Sequence, residues 1–334
     1  MNAKRWVAVG IAAVLFVSSI LMSVVSGFFK SSDEGFFSSF GEAFMAAETI
    51  LQEGDLFRRI AVLRVSGVIA QSEETAFLSS GYSHSTMMEN LEQIRSDDTV
   101  AALILVVDSP GGGVYESAQI RDKLVQIREE RDLPVYVVMG SVAASGGYYI
   151  SAEADRIFAS AETLTGSIGV IMSGLNYSEL MENVGIDDTT VKSGEFKDIG
   201  SSTRPWTEEE IRILQELIDG SYQRFVDIVA SGRGMDRQDA LAVADGRIFD
   251  GSQAKELGLV DDIGYFEDAL EAMMTEYELD GAQVFEYPQQ SFGFLDSLDY
   301  RLSELIGSGT HAGLQQKVEE HMGDHPKMMY LFGE

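Results

Sequence analysis

Residues 100–113 read VAALILVVDSPGGG, a nearly all-apolar run that ends in one proline and three glycines. A run of this kind predicts a strand that is covered on both faces, as the strands of parallel sheets are. The turn that follows lies at the carboxyl edge of the predicted sheet, where parallel α/β folds commonly bind their ligands. Both the fold and the search for a functional site therefore start from this stretch.

A strand-then-helix rhythm extends from this stretch in both directions. The predicted strands are residues 60–70, 100–108, 134–139, 156–160 and 164–172, and the predicted helices are 85–97, 115–131, 207–229 and 236–244. The third of these helices opens at Thr207 with Glu210 three residues later, which is a capping-box pattern. The alternation predicts an α/β domain with largely parallel strands and crossover helices.

The composition excludes several classes of protein and site. The 334 residues are 45% apolar and carry a net charge of −30, so the chain can build a core and would repel nucleic-acid phosphates. Cysteine is absent, which removes thiol nucleophiles, cysteine zinc sites and disulfides. Three of the four histidines lie in the last 24 residues, so a Ser-His-Asp triad is not expected. The paired aspartates fit solvated loops, and we expect no metal, no other cofactor and no nucleic-acid partner.

The N-terminal segment predicts a membrane anchor. Residues 6–25 contain no charge, and about 20 apolar residues suffice for a helix to cross a bilayer. Lys4 and Arg5 precede the segment, so the N-terminus should stay cytoplasmic and the rest of the chain should lie outside. The alternative is a cleaved signal peptide, whose apolar core is usually only about 7–15 residues long.

Two glycine-rich turns carry groups that suit acyl-transfer chemistry. Three glycines in DSPGGG, residues 108–113, free backbone amides to face a developing oxyanion, which is worth about 3–4 kcal/mol per donor. In VAASGGYY, Ser145 follows a predicted buried strand and precedes Gly146, whose amide would face the same space. Taken alone, the first turn also fits an ordinary glycine-rich turn and Ser145 also fits a helix N-cap.

A serine nucleophile needs a base, and here the candidates are lysines. Between Lys123 and Lys255 the chain has only Lys192 and Lys197, both in TTVKSGEFKDIGS. A lysine acts as a base near neutral pH only where desolvation lowers its pKa from about 10.4. Either residue also fits a solvated surface lysine. Ser167, in LTGSIGV, is a candidate hydrogen-bond partner for the base.

Four motifs stand in order along the chain: DSPGGGVYES, AASGGYYIS, TGSIGV and SGEFKDIGS. Together they closely resemble the signal peptide peptidase A family, in its short single-repeat bacterial form, over about residues 59–272. The resemblance implies a ClpP/crotonase-like α/β spiral fold, here with an N-terminal transmembrane helix. It also implies a serine peptidase that hydrolyses peptide bonds through a Ser/Lys dyad without a metal or nucleotide.

The family's functional residues map onto this chain motif by motif. The resemblance makes Ser145 the nucleophile and Lys197 the general base, with Ser167 orienting the lysine. It assigns the oxyanion amides to Gly112 and Gly146. The implied substrates are remnant signal peptides, left in the membrane after preprotein processing, and other peptides. Short members of the family form homo-oligomeric rings in which neighbouring subunits can contribute Ser and Lys.

The expected organisation has five parts: a cytoplasmic N-terminus at 1–5, a transmembrane anchor at 6–27, a juxtamembrane linker at 28–57, a Ser/Lys peptidase domain at 58–272 and an acidic C-terminal extension at 273–334. The expected location is the cell membrane, with one pass and an extracytoplasmic catalytic domain. The terminal peptide PKMMYLFGE fits a flexible tail and, as a hypothesis, a substrate mimic for a neighbouring active site.

Two other functions remain open from the sequence. A crotonase-type acyl-CoA enzyme would share an oxyanion hole built from glycine turns, but it needs no serine nucleophile and is usually soluble. A non-catalytic membrane scaffold would keep the fold and present its acidic domain to partners.

Overall fold

The computed structural model describes residues 48–71, 82–287 and 329–331. The predicted transmembrane anchor at 6–27 lies outside these residues. Within the described ranges, every helix is too short or too polar to cross a bilayer.

Eleven strands occur in the described part of the chain. They are β1 (Thr49–Gln52), β2 (Asp55–Ser66), β3 (Val100–Ser109), β4 (Gly111–Gly113), β5 (Val135–Ala144), β6 (Arg156–Ala159), β7 (Leu164–Gly166), β8 (Ile248–Asp250), β9 (Asp262–Ile263), β10 (Ala282–Glu286) and β11 (Met329–Leu331).

The same ranges contain eight helices. They are α1 (His84–Ser96), α2 (Val114–Arg131), α3 (Gly146–Ser151), α4 (Ser178–Asn183), α5 (Glu208–Gly232), α6 (Arg237–Ala242), α7 (Gly251–Glu256) and α8 (Phe266–Glu276).

The main sheet is largely parallel. Its strand order is β1-β10-β2-β3-β5-β6-β9, and β7 pairs with both β5 and β8. All neighbours from β10 to β9 run parallel, whereas β1 pairs antiparallel with β10, and β8 with β7. The predicted mixed α/β architecture is confirmed.

Helices cover both faces of this sheet, which explains why its strands are apolar throughout. Along β2, Ala61, Leu63 and Val65 join the core under α1, α2 and α5, while Ile60 and Val62 join the core under α8. Burial on both faces removes the polar alternation of a half-exposed strand. The apolar strand β3 lies at the middle of the sheet between β2 and β5.

The predicted elements between residues 60 and 244 are largely present. The capping box that opens α5 is formed on both sides: the Thr207 hydroxyl accepts from the Glu210 amide, and the Thr207 amide donates to the Glu210 carboxylate at 2.8 Å. The longest predicted helix therefore begins where its sequence pattern places it.

The sheet extends beyond the residues assigned to the peptidase domain. β1 and the start of β2 lie within the predicted linker at 28–57, and β10 lies within the predicted extension at 273–334. These strands fall outside the predicted domain because they form by pairing between segments that are distant in sequence. β10 has only five residues, too few for a clear pattern, but it fills the position between β1 and β2.

Candidate active site

The carboxyl ends of β3 and β5 are joined by a side chain of the DSPGGG motif. The Asp108 carboxylate accepts hydrogen bonds from the Ser141 hydroxyl at 2.7 Å and from the Val142 amide at 3.0 Å. These bonds bridge a register shift between the two strands. They bring the glycine turn after β3 next to the serine turn after β5.

The glycine strand β4 is held along one edge by Ile69, and its other edge faces the site. Gly113 donates its amide to the Ile69 carbonyl at 2.7 Å, and the Ile69 amide donates to the Gly111 carbonyl at 2.8 Å. Backbone groups alternate in direction along a strand, so the amide and carbonyl of Gly112 face the opposite edge. On that edge β11 pairs antiparallel with β4, with Tyr330 opposite Gly112.

Ser145 occupies a sharp turn between β5 and α3. Its backbone has φ 53° and ψ −115°, a conformation that L-residues rarely adopt, and its amide donates to the Gly166 carbonyl at 2.8 Å. The side chain makes no capping hydrogen bond to α3, which argues against the N-cap alternative. A strand–turn–helix with a strained serine at its apex is the geometry of a nucleophile elbow.

The two glycines predicted to bind the oxyanion lie side by side. A methyl group built on Gly146 would stand 3.1 Å from the Gly112 nitrogen and 2.7 Å from the Ser117 hydroxyl oxygen. A side chain at Gly146 would therefore collide with α2 and the glycine strand. Gly146 directly follows Ser145, so the nucleophile and both candidate amides share one small volume.

Ser167 lies beside this volume at the end of β7. Gly166 pairs with Ala144, the residue before the nucleophile, and Ser167 donates its own amide to the Arg247 carbonyl at 2.7 Å. Like Ser145, it is buried and has a positive φ, of 49°. Ser145, Gly146, Gly112 and Ser167 are thus gathered at the carboxyl edge of the sheet.

The structure does not bring Lys197 to this group. The side chain is exposed, and its ammonium makes no hydrogen bond or ion pair with any described residue. Lys192 differs, because its ammonium pairs with Asp198 at 2.7 Å. Lys192, the alternative base, is therefore already paired with a carboxylate, whereas the Lys197 ammonium has no partner among the described residues.

An ion network fixes the backbone next to Lys197. Arg204 binds both oxygens of Asp198 at 2.8 Å and also binds Glu210 at the start of α5. Its guanidinium, together with Lys192, holds the pKa of Asp198 far below the usual range. Hydrogen bonding to Arg204 likewise lowers the pKa of Glu210 to about 2. The loop that carries Lys197 is thereby tied to the longest helix.

Sequence reasoning missed three residues that shape the site. Ile69 supports the glycine strand, Arg247 holds Ser167 through its carbonyl, and Ser117 packs against Gly146. The first two act through the backbone, so their side chains carry no signal. Ser117 does stand within DSPGGGVYES, and its small polar side chain in a helix that packs on a glycine was the available clue.

A scan against protein families matches residues 127–280 to Peptidase family S49. A protein from Enterococcus faecium that carries the provisional name signal peptide peptidase SppA is 43% identical over 343 residues, covering 100% of this chain and 99% of that protein. Protease 4 from Haemophilus influenzae is 32% identical over 82% of this chain and 43% of that protein.

A further relative and a solved structure extend the comparison. A protein from Methanocaldococcus jannaschii, provisionally named a protease, is 40% identical over 66% of this chain and 70% of that protein. A ClpP1 mutant from Listeria monocytogenes aligns with a TM-score of 0.40 and 19% identity, over 63% of this chain and 94% of that chain. The sequence matches decide the assignment: the chain belongs to peptidase family S49, with the signal peptide peptidase A proteins, and is a serine peptidase.

Proposed function

We propose that the protein is a membrane-anchored endopeptidase that degrades remnant signal peptides, with Ser145 as nucleophile and Lys197 as general base. The observation that carries the proposal is the strand pairing at the site. An extended segment, Met329–Leu331, already lies antiparallel along Gly111–Gly113 and contacts α3, the helix that begins next to Ser145. Adding a strand to an exposed edge is a common way to bind extended peptides.

The same edge gives the peptide backbone a defined direction. An antiparallel strand along β4 exchanges hydrogen bonds with Gly112 while its side chains alternate between the two faces. Main-chain recognition depends little on sequence, as suits an enzyme that clears many different signal peptides. Selectivity then falls to the pockets for alternate side chains.

In the proposed mechanism, neutral Lys197 takes the proton of Ser145 while the hydroxyl oxygen attacks a peptide carbonyl. The amides of Gly112 and Gly146 receive the oxyanion, and Ser167 holds the lysine by a hydrogen bond. The amine leaves with a proton from the lysine, and water then hydrolyses the acyl-enzyme.

We further propose that the base comes from a neighbouring copy in a homo-oligomeric ring. Lys197 is exposed, although a lysine base needs a desolvated setting to lose its proton near neutral pH. The segment before it exposes several large apolar side chains: Leu175, Leu180, Val184, Ile186 and Val191. Burying these side chains against a second copy would also bury the lysine beside that copy's Ser145.

We place the enzyme in the cell membrane with its catalytic domain outside. The support is the charge-free stretch at 6–25 after Lys4 and Arg5. An anchor of this kind holds the site near the bilayer, where signal-peptide remnants reside. We also propose that the peptidase domain has the ClpP/crotonase-like spiral fold.

The experiment is hydrolysis of a fluorogenic peptide by the purified domain, residues 48–334, across pH 6–10. Wild type is compared with Ser145→Ala, Lys197→Ala and, as a matched control, Lys192→Ala. We expect the first two substitutions to abolish turnover while the oligomer persists, and Lys192→Ala to retain it. Full activity in Lys197→Ala would refute the assignment of the base, and an inert wild type would favour the scaffold.

The C-terminal segment gives an independent test of peptide binding. Because β11 lies along the glycine strand, we expect the tail to be cut in wild type and intact in Ser145→Ala. Intact mass of both proteins, purified without added protease, measures this directly. Identical full-length masses would show that the tail occupies the edge without being a substrate.

A further inference from the structure

Ser117 is a buried hydroxyl without a hydrogen-bond partner in the described part of the chain. Ser117 is fully buried in the first turn of α2. Among the described residues, its Oγ is the only buried side-chain nitrogen or oxygen without a hydrogen-bond partner. A buried unpaired hydroxyl costs about 1–3 kcal/mol of stability, so its presence calls for a reason.

The hydroxyl lies against the two glycines predicted to bind the oxyanion. One point, the position of a methyl group on Gly146, lies 2.7 Å from the Ser117 oxygen and 3.1 Å from the Gly112 nitrogen. The small side chain also permits the close contact between α2 and Gly146. Ser117 therefore lies close to the two glycines that carry these amides, and its hydroxyl makes no hydrogen bond to Ser145.

We propose that Ser117 is a positioning residue of the oxyanion hole. Its uncommitted hydroxyl turns its dipole toward the substrate oxyanion, which the amides of Gly112 and Gly146 bind. A hydroxyl already bonded to a carbonyl could not turn in this way, because it would have to break that bond. The inference rests on the proposed function of this site and adds a residue to it.

Buried dipoles of this kind act in the transition state rather than in substrate binding. The substrate carbonyl carries little charge, so the hydroxyl contributes little to KM, whereas the oxyanion carries nearly a full charge. A direct oxyanion donor is worth about 10²–10³ in kcat. One layer further from the charge, we expect about a ten-fold effect, because the interaction weakens with distance.

The test compares Ser117→Ala with Ser151→Ala in the full chain. Ser151 is the matched control, since it is a buried serine of α3 whose hydroxyl is committed to the Gly147 carbonyl at 2.7 Å. For Ser117→Ala we expect about a ten-fold lower kcat, an unchanged KM and an equal loss of affinity for a peptide boronate, which forms a tetrahedral anion on Ser145. Ser151→Ala should leave all three values unchanged.

Thermal melting separates this role from a structural one. Ser117→Ala should melt at or above the wild-type temperature, because it removes an unsatisfied hydroxyl. Unchanged kcat and boronate affinity, or a loss of activity that follows a lower melting temperature, would overturn the proposal. Ser145→Ala separates a failure of this inference from a failure of the proposed function. If Ser145→Ala is inactive and Ser117→Ala has normal activity, only the inference about Ser117 fails. Wild type without peptidase activity would overturn both.

Discussion

The backbone at Ser145 combines a positive φ with a residue that has a Cβ, which costs about 1–3 kcal/mol where the surroundings enforce it. Strain of this kind is concentrated at active sites, because it aims a side chain that relaxed geometry would turn away. The bond from the Ser145 amide to the Gly166 carbonyl is part of what holds it.

Relieving this strain should stabilise the protein and destroy the enzyme. We expect Ser145→Gly to raise the free energy of unfolding by about 1 kcal/mol relative to Ser145→Ala, since glycine adopts positive φ at little cost. Both variants should be inactive. Urea unfolding of the pair measures the difference, and equal stabilities would mean that the turn is not strained.

Adjacent glycines of β4 should respond very differently to alanine. A Cβ on Gly112 would lie 1.9 Å from the Ile69 carbonyl oxygen, a collision with backbone, whereas a Cβ on Gly113 meets only the flexible end of Glu116. We expect Gly112→Ala to abolish peptide hydrolysis and destabilise the fold by about 2 kcal/mol. Gly113→Ala should change either property much less, by the same activity and melting assays.

Among the candidate site residues, those with local signals could be predicted from the sequence. Ser145, Gly146 and Gly112 stand in small-residue turns after buried strands, so their neighbours along the chain reveal them. Ser117 acquires its meaning only from contact with Gly146, which is distant in sequence. The environment of Lys197 has no local signal, because the desolvation that a lysine base needs would have to come from residues distant in sequence or from a second copy.

At the scale of elements, the sequence predicted the strands and helices whose signal lies within the segment itself. β3 is apolar enough to require a covered sheet, and α5 begins at its capping box. β10 was missed because its five residues become a strand through pairing with β1 and β2. The position of β10 in the sheet is therefore determined by strands that are distant from it in sequence.

The network at the start of α5 makes a prediction about acid stability. Arg204 lowers the pKa of Glu210 from 4.5 to about 2, so the ion pair stabilises the folded protein above about pH 4.5 and loses its effect as the pH falls toward 2. Arg204→Gln should therefore melt several degrees below wild type at pH 7, and the gap should narrow between pH 4.5 and 2 as Glu210 is protonated, while Asp198 keeps its ion pair with Arg204.

Arg212 on the same helix provides the control. Its partners Glu209 and Glu216 are largely exposed, and such pairs contribute little. Arg212→Gln should melt close to wild type at each pH. A gap between wild type and Arg204→Gln that stays constant down to pH 2 would mean that Glu210 does not depend on Arg204.

At the scale of the whole molecule, the exposed position of Lys197 predicts that inactive variants complement each other. If each site takes Ser145 from one copy and Lys197 from its neighbour, co-folding Ser145→Ala with Lys197→Ala should restore about a quarter of wild-type activity by random mixing. Each variant alone should be inactive. No recovery from mixed oligomers would mean that both residues come from one chain.

The placement of β10 between β1 and β2 also sets the order in which the molecule can come into existence. A ribosome releases the first strands of the sheet more than 200 residues before the strand that joins them, so β2 waits with one edge unpaired. All described strands of the main sheet are present only when synthesis has passed residue 286. The edge of β2 that β10 fills therefore stays unpaired while strands β3 to β9 are synthesised, and it is open to pairing with other chains until β10 is made.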